Sequence, residues 1–127
     1  MPSVARALLV VSVLLASPIR VAAHDVAKGP NGGPIVTVAD HHLELTETAG
    51  TLAIFMTDAK HEPIAAAGAS GRAIVQSGGK TTTVALAPGA GNRLDGKSGV
   101  PVEKGARVVV TVTLDKGANV QARFVLP

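Results

Sequence analysis

Residues 29–58 read GPNGGPIVTVADHHLELTETAGTLAIFMTD, and their pattern decides the fold class. Pro34–Val38 is β-branched, and Ala39-Asp40 is placed to turn the chain. His41–Thr46 then alternates strictly, so His42 and Glu44 share one face while Leu43 and Leu45 share the other. The expectation is a strand with its leucines in a core and with His42 and Glu44 on the wet side. After Ala49-Gly50 the alternation resumes over Thr51–Thr57, with Leu52, Ile54 and Met56 on one side and Ala53 and Phe55 on the other. Being apolar on both sides, this segment reads as a central, well-covered strand.

Working outward, Gly29-Pro30 and Asn31-Gly32-Gly33 predict an irregular arm or turn before the first strand, and Asp58–Pro63 predicts a turn after the third. Ile64–Ala69 is rich in alanine and carries no assignable period. Arg72–Gln76 and Thr81–Ala87 flank Ser77-Gly78-Gly79-Lys80, a hairpin signal because the glycines supply the positive φ of a tight connection. Pro88–Pro101 reads as a long loop with a short strand at Asn92–Asp95. Arg107–Leu114 and Asn119–Leu126 form a second hairpin around Asp115-Lys116-Gly117, with Val108, Val110, Val112 and Leu114 inward, answered by Val120, Ala122, Phe124 and Leu126. No window shows a sustained helical stripe with caps. The fold class is therefore all-β: a small antiparallel β-sandwich or barrel of about seven strands, in a single domain.

That domain is expected to span 24–127, because 1–23 has the organisation of a cleaved signal peptide. Arg6 supplies a basic start, Ala7–Ala16 is an apolar run, and Val21-Ala22-Ala23 places small residues before a cut, with a cut after Ala16 as the alternative. The apolar run is shorter than the roughly 20 residues a membrane span requires. The chain contains no cysteine, which excludes both a disulfide framework and a lipid anchor through cysteine. The expected product is periplasmic or secreted, without a membrane anchor.

Loss of Arg6 and Arg20 from the twelve Lys and Arg leaves ten against nine acidic residues, a net charge of +1. The basic residues are spread singly along the sequence, and the aromatic residues are Phe55 and Phe124 alone. Neither the electrostatic footprint nor the stacking platform of a nucleic-acid-binding protein is present.

Enzyme signatures fail on inspection. In Gly68-Ala69-Ser70-Gly71-Arg72 an arginine stands where a nucleophile elbow needs glycine, and Ser70 reads as a turn residue. Gly89-Ala90-Gly91-Asn92 lacks the third glycine and the following helix of a phosphate cradle. The remaining chemistry lies with His24, His41, His42 and His61, whose imidazoles suit Cu(II), Zn(II) and Ni(II). Cleavage after Ala23 would give His24 a free α-amine beside its ring nitrogen, a chelate suited to Cu(II), with Asp25 adjacent. His41 and His42 are neighbours on a strand, so the pleat sends them to opposite faces and at most one joins a site. His42 is accompanied by Glu44, and His61 stands in its turn with Asp58 and Glu62. Each of these histidines also has a plain reading as a solvated surface residue.

Gly29-Pro-Asn-Gly-Gly33, His42-Leu-Glu-Leu45 and Phe55-Met-Thr-Asp58 followed by Pro63 resemble the small β domain near the N-terminus of periplasmic adaptor subunits of heavy-metal efflux pumps, and also short stand-alone exported proteins with the same opening. The likeness covers mainly 29–63, with weaker echoes at Gly68–Ala73 and Asn92-Arg93-Leu94. It implies a periplasmic β module associated with metal export, with metal-efflux pump components as partners and His42 on the family's H-x-E-L segment. The chain departs from the adaptors in having no coiled-coil hairpin and no lipoyl-like segment. In architecture it is also similar to small periplasmic copper-resistance carriers, whose mature chain begins with a ligand histidine, although the methionine clusters of some of them are missing.

The sequence thus points to a non-catalytic metal-binding or metal-efflux accessory protein, with Cu(II), Zn(II) or Ni(II) held among His24, His41, His42 and His61, and Asp25 or Glu44 as oxygen ligand or orienter. The alternative is a metal-free interaction module that pairs an exposed strand edge with a partner protein.

Overall fold

The structure is a computed structural model that describes residues 27–127. The expected signal peptide and its expected cut, together with His24 and Asp25, lie outside the described residues. Eight strands follow one another: β1 (Ile35–Val38), β2 (His41–Thr48), β3 (Thr51–Thr57), β4 (Ser70–Ser77), β5 (Lys80–Pro88), β6 (Arg93–Lys97), β7 (Arg107–Thr113) and β8 (Asn119–Val125). They form one antiparallel sheet in the order β1-β2-β3-β6-β5-β4-β7-β8. The two end strands, β1 and β8, come back into contact, so the sheet nearly closes into a barrel.

Three two-residue hairpins set the register. Val38 pairs with His41 across Ala39-Asp40, Thr48 with Thr51 across Ala49-Gly50, and Ser77 with Lys80 across Gly78-Gly79. All six turn residues have positive φ, the requirement of the tight turn that matches strand twist. With register fixed, alternation sends one face of every strand inward. Leu43, Leu45, Leu52, Ile54, Met56 and Leu94 fill the β2-β3-β6 side of the core. Val75, Val108, Val110, Val112, Ala122 and Phe124 fill the β4-β7-β8 side.

Two elements differ from the sequence reading. In the region expected to be mostly loop, 88–101, the short strand expected at Asn92–Asp95 is present as β6, shifted to Arg93–Lys97, and it sits in the middle of the sheet, between β3 and the end of β5. Leu94 is its one buried residue, which is why alternation alone understated it. Ser70, expected in a turn, opens β4 opposite Thr113.

Candidate functional site

The first three strands bring His42, Glu44 and His61 to one cleft, by different local means. His42 lies on β2 between Thr37 of β1 and Thr57 of β3. Its Nδ1 is 2.8 Å from Thr37 Oγ1. When that nitrogen carries the proton and donates to the hydroxyl, Nε2 keeps its lone pair for a ligand.

His61 arrives from the loop after β3. A bridge between Thr57 and Pro63 closes this loop, and Asp58 organises its interior. The Asp58 carboxylate accepts the backbone N–H of Lys60 at 2.9 Å and of Glu62 at 3.0 Å, while the N–H of His61 donates to the Asp58 carbonyl at 3.0 Å. The bond from Glu62 is the chief reason the Asp58 carboxyl is held below its ordinary value, with the Lys60 N–H and the charges of Lys60 and His61 adding to it against some desolvation. So tight a loop forces His61 to φ 62°, a left-handed conformation that a residue with a Cβ adopts at a cost. The result is a stacked pair: the His42 and His61 rings lie 4.4 Å apart at 8°.

Glu44 occupies the same face two residues beyond His42. It was expected on the wet side, yet it is 4% exposed, the one buried charged side chain among the described residues. The cause is the arm at 29–33, which folds over β2 and uses the carboxylate as its anchor. Glu44 Oε2 accepts the N–H of Gly33 at 2.9 Å and of Asn31 at 3.0 Å, and Oε1 accepts the Asn31 amide Nδ2 at 3.0 Å. Two glycines make the approach close enough. A Cβ on Gly29 would collide with the Glu44 carboxyl group, and one on Gly33 with the Leu45 carbonyl.

Pro30, Asn31, Phe55 and Asn92 complete a cleft of about 400 Å³ around the two histidines and Glu44. Asn92 ties the far wall to β3, donating its side-chain amide to the Met56 carbonyl at 2.8 Å and accepting the Met56 N–H on its own carbonyl at 3.1 Å. His41 is elsewhere. It starts β2 on the face of Leu43 and Leu45, half-buried, and its Nδ1 is enclosed without a hydrogen-bond partner.

Chemically, the cleft offers two imidazoles in contact and a carboxylate whose oxygens are already engaged by the arm. Among the described residues no group of three or more His, Cys, Asp or Glu is gathered closely enough to hold a metal ion. Neither alternation nor motif spacing marks Asn31, Thr37 or Asn92 as part of a site. For Asn31 the available signal was a run of backbone donors, NGG, lying eleven to thirteen residues before a glutamate flanked by leucines. No protein-family model, curated protein or solved structure matches the chain.

Proposed function

We propose that the protein is an exported metal-binding or metal-efflux accessory module of the periplasm, non-catalytic, taking Cu(II), Zn(II) or Ni(II). The observation that carries this reading is the His42–His61 pair, two borderline ligands nineteen residues apart in sequence and stacked at 4.4 Å over a cleft. His42, steadied by Thr37, is the fixed donor, and His61 is the exposed one. Glu44 acts as an orienter, because its oxygens hold the arm that forms one wall.

The remaining donors are assigned to His24 and Asp25. The Ala27 carbonyl accepts the N–H of Ile35, and Ile35 lines the same cleft. His24 is three residues upstream of Ala27, a span of at most about 10 Å of chain. Copper leads among the candidate ions, since divalent affinity at nitrogen ligands peaks there. The alternative is a metal-free module that recruits a partner along a strand edge. The mutual contact of β1 and β8 covers part of the edges such pairing would use, which favours the metal reading.

Calorimetric titration with Cu(II), Zn(II) and Ni(II) tests it. Binding tighter than about micromolar is expected for at least one ion, weakened about tenfold or more by either His42→Ala or His61→Ala. Absence of binding, or affinity in both variants unchanged from that of the unsubstituted protein, rejects the cleft as a metal site. A loss on His24→Ala alone would move the site to the N-terminal arm.

A further inference from the structure

The arginines, scattered along the sequence, are not scattered in the fold. Outward positions of β4, β5, β7 and β8 alternate with the buried ones, and they include Arg72, Arg107 and Arg123 but no aspartate or glutamate. Register places Arg107 opposite both Gln76 and Val125, Arg123 opposite Val109, and Arg72 opposite Thr111. Arg107 and Arg123 are thus diagonal neighbours, about 7–8 Å apart. Among the described residues the one ion pair is Arg93–Asp95, so none of these three guanidinium groups is neutralised by a carboxylate.

Between Arg107 and Arg123 runs a trough of about 300 Å³, walled by Ile74, Val109 and Val125. Val125 is 61% exposed, the single large apolar side chain so exposed among the described residues. Like charges set side by side around apolar surface weaken an isolated domain, and a partner that brings opposite charge and apolar contact relieves both costs.

We propose that the outer face of β4, β7 and β8 docks an acidic, partly apolar segment of another protein, with Arg107 and Arg123 gripping its carboxylates and Ile74, Val109 and Val125 receiving its apolar side chains. The guanidinium fork matches a carboxylate in bidentate geometry, and arginine is one of the residues enriched among those that dominate interface energetics. An anionic bilayer is the poorer occupant, because electrostatic attachment to lipid takes clusters of about four to eight basic residues and this face has three. The surface lies on strands other than those carrying His42 and His61, so it stands independently of the metal reading.

Fluorescence anisotropy of the purified protein with a labelled peptide of alternating glutamate and valine provides the test, with the same peptide built on lysine and vesicles of phosphatidylglycerol as comparisons. Saturable binding to the glutamate peptide is expected, weakening several-fold between about 0.05 M and about 0.3 M salt. Arg107→Glu with Arg123→Glu should weaken it about tenfold or more, and Val125→Ser a few-fold, with melting curves unchanged. Arg107→Gln with Arg123→Gln serves if charge reversal prevents folding. The proposal is overturned by no binding to the glutamate peptide, by equal binding of the lysine peptide or of the arginine variants, or by binding to vesicles without binding to peptide.

Discussion

The β1–β3 region and the β4-β5-β7-β8 region of the barrel are built by the same alternation and differ in where they depart from easy backbone geometry. Ala39, Asp40, Ala49 and His61 all have positive φ, and every one lies in or directly after the first three strands. From β4 onward, each described residue with positive φ is a glycine. The first region also contains the buried carboxylate and the stacked histidines, whereas the second shows a buried-exposed alternation almost without exception along β8. Backbone strain in folded proteins concentrates where a site is held in place by its surroundings. The difference therefore separates a half that stabilises the barrel from a half whose irregularities assemble a cleft.

The strongest way to break this division is to weaken the regular half and see whether the cleft survives. Phe124 faces Val108 across the β7-β8 ladder and is 3% exposed. Phe124→Ala should cost about 3–5 kcal/mol, and thermal melting followed on the histidine ring signals should fall together with melting followed by circular dichroism. Histidine signals that melt separately would show two units rather than one barrel.

Next in size is the anchor of the irregular half. Glu44→Ala leaves the N–H groups of Asn31 and Gly33 without their acceptor and should cost about 3 kcal/mol. Glu44→Gln, which retains an acceptor oxygen but not the charge, should cost about half as much. Hydrogen exchange at the Asn31 and Gly33 amides should accelerate in both variants. Unchanged exchange would mean the arm is held by something other than this carboxylate.

Alternation was enough to read most of the fold. β2, β3 and the Ser77–Lys80 hairpin follow from periodicity and turn residues within a few neighbours. β6 was only partly legible because RLDGK has one apolar side chain, and its place in the sheet depends on β3 and β5, some 40 and 10 residues away in order of magnitude. The cleft was legible in its parts and not in its assembly. The pleat separates His41 from His42, but alternation alone puts Glu44 in water, because its cover is a loop folded back from residues 29–33. The meeting of His61 with His42 rests on a left-handed backbone that no local pattern around His61 demands. Likewise Arg107 and Arg123 become neighbours only through the β7-β8 register.

The loop that presents His61 should respond to acid. The Asp58 carboxyl is held below its ordinary value of 3.8, chiefly by the Glu62 N–H, so its ionised form is favoured by the folded loop. A lowered folded value means that this contribution is fully present above the unfolded value and is lost as pH falls through the folded one. From about pH 4 downward the Lys60 and Glu62 amides should lose protection, with the loss blunted in Asp58→Ala. Amide signals followed by NMR from pH 6 to about pH 2 check this. An unchanged loop across that range would assign its shape to the Thr57–Pro63 bridge alone.

Strain in the irregular half can also be removed, by about 1 kcal/mol, without touching a contact of the cleft. Ala39 and Asp40 form the β1-β2 turn at φ 47° and φ 64°. A two-residue hairpin with positive φ at both positions favours Asn-Gly, and a side chain with a Cβ is held there against its preference. Ala39→Asn with Asp40→Gly should therefore raise stability by about 1 kcal/mol, somewhat offset by the greater freedom glycine gives the unfolded chain. The equivalent hairpin at Ser77–Lys80 already has glycine at both turn positions, so substitution there to Asn-Gly should change stability little. Urea denaturation of the two variants in parallel measures the contrast through their midpoints at constant slope. A gain at the first hairpin and none at the second locates avoidable strain in the half that builds the cleft. Equal responses would mean that the positive φ values at Ala39 and Asp40 carry no cost, and that the irregular half is no more strained than the regular one.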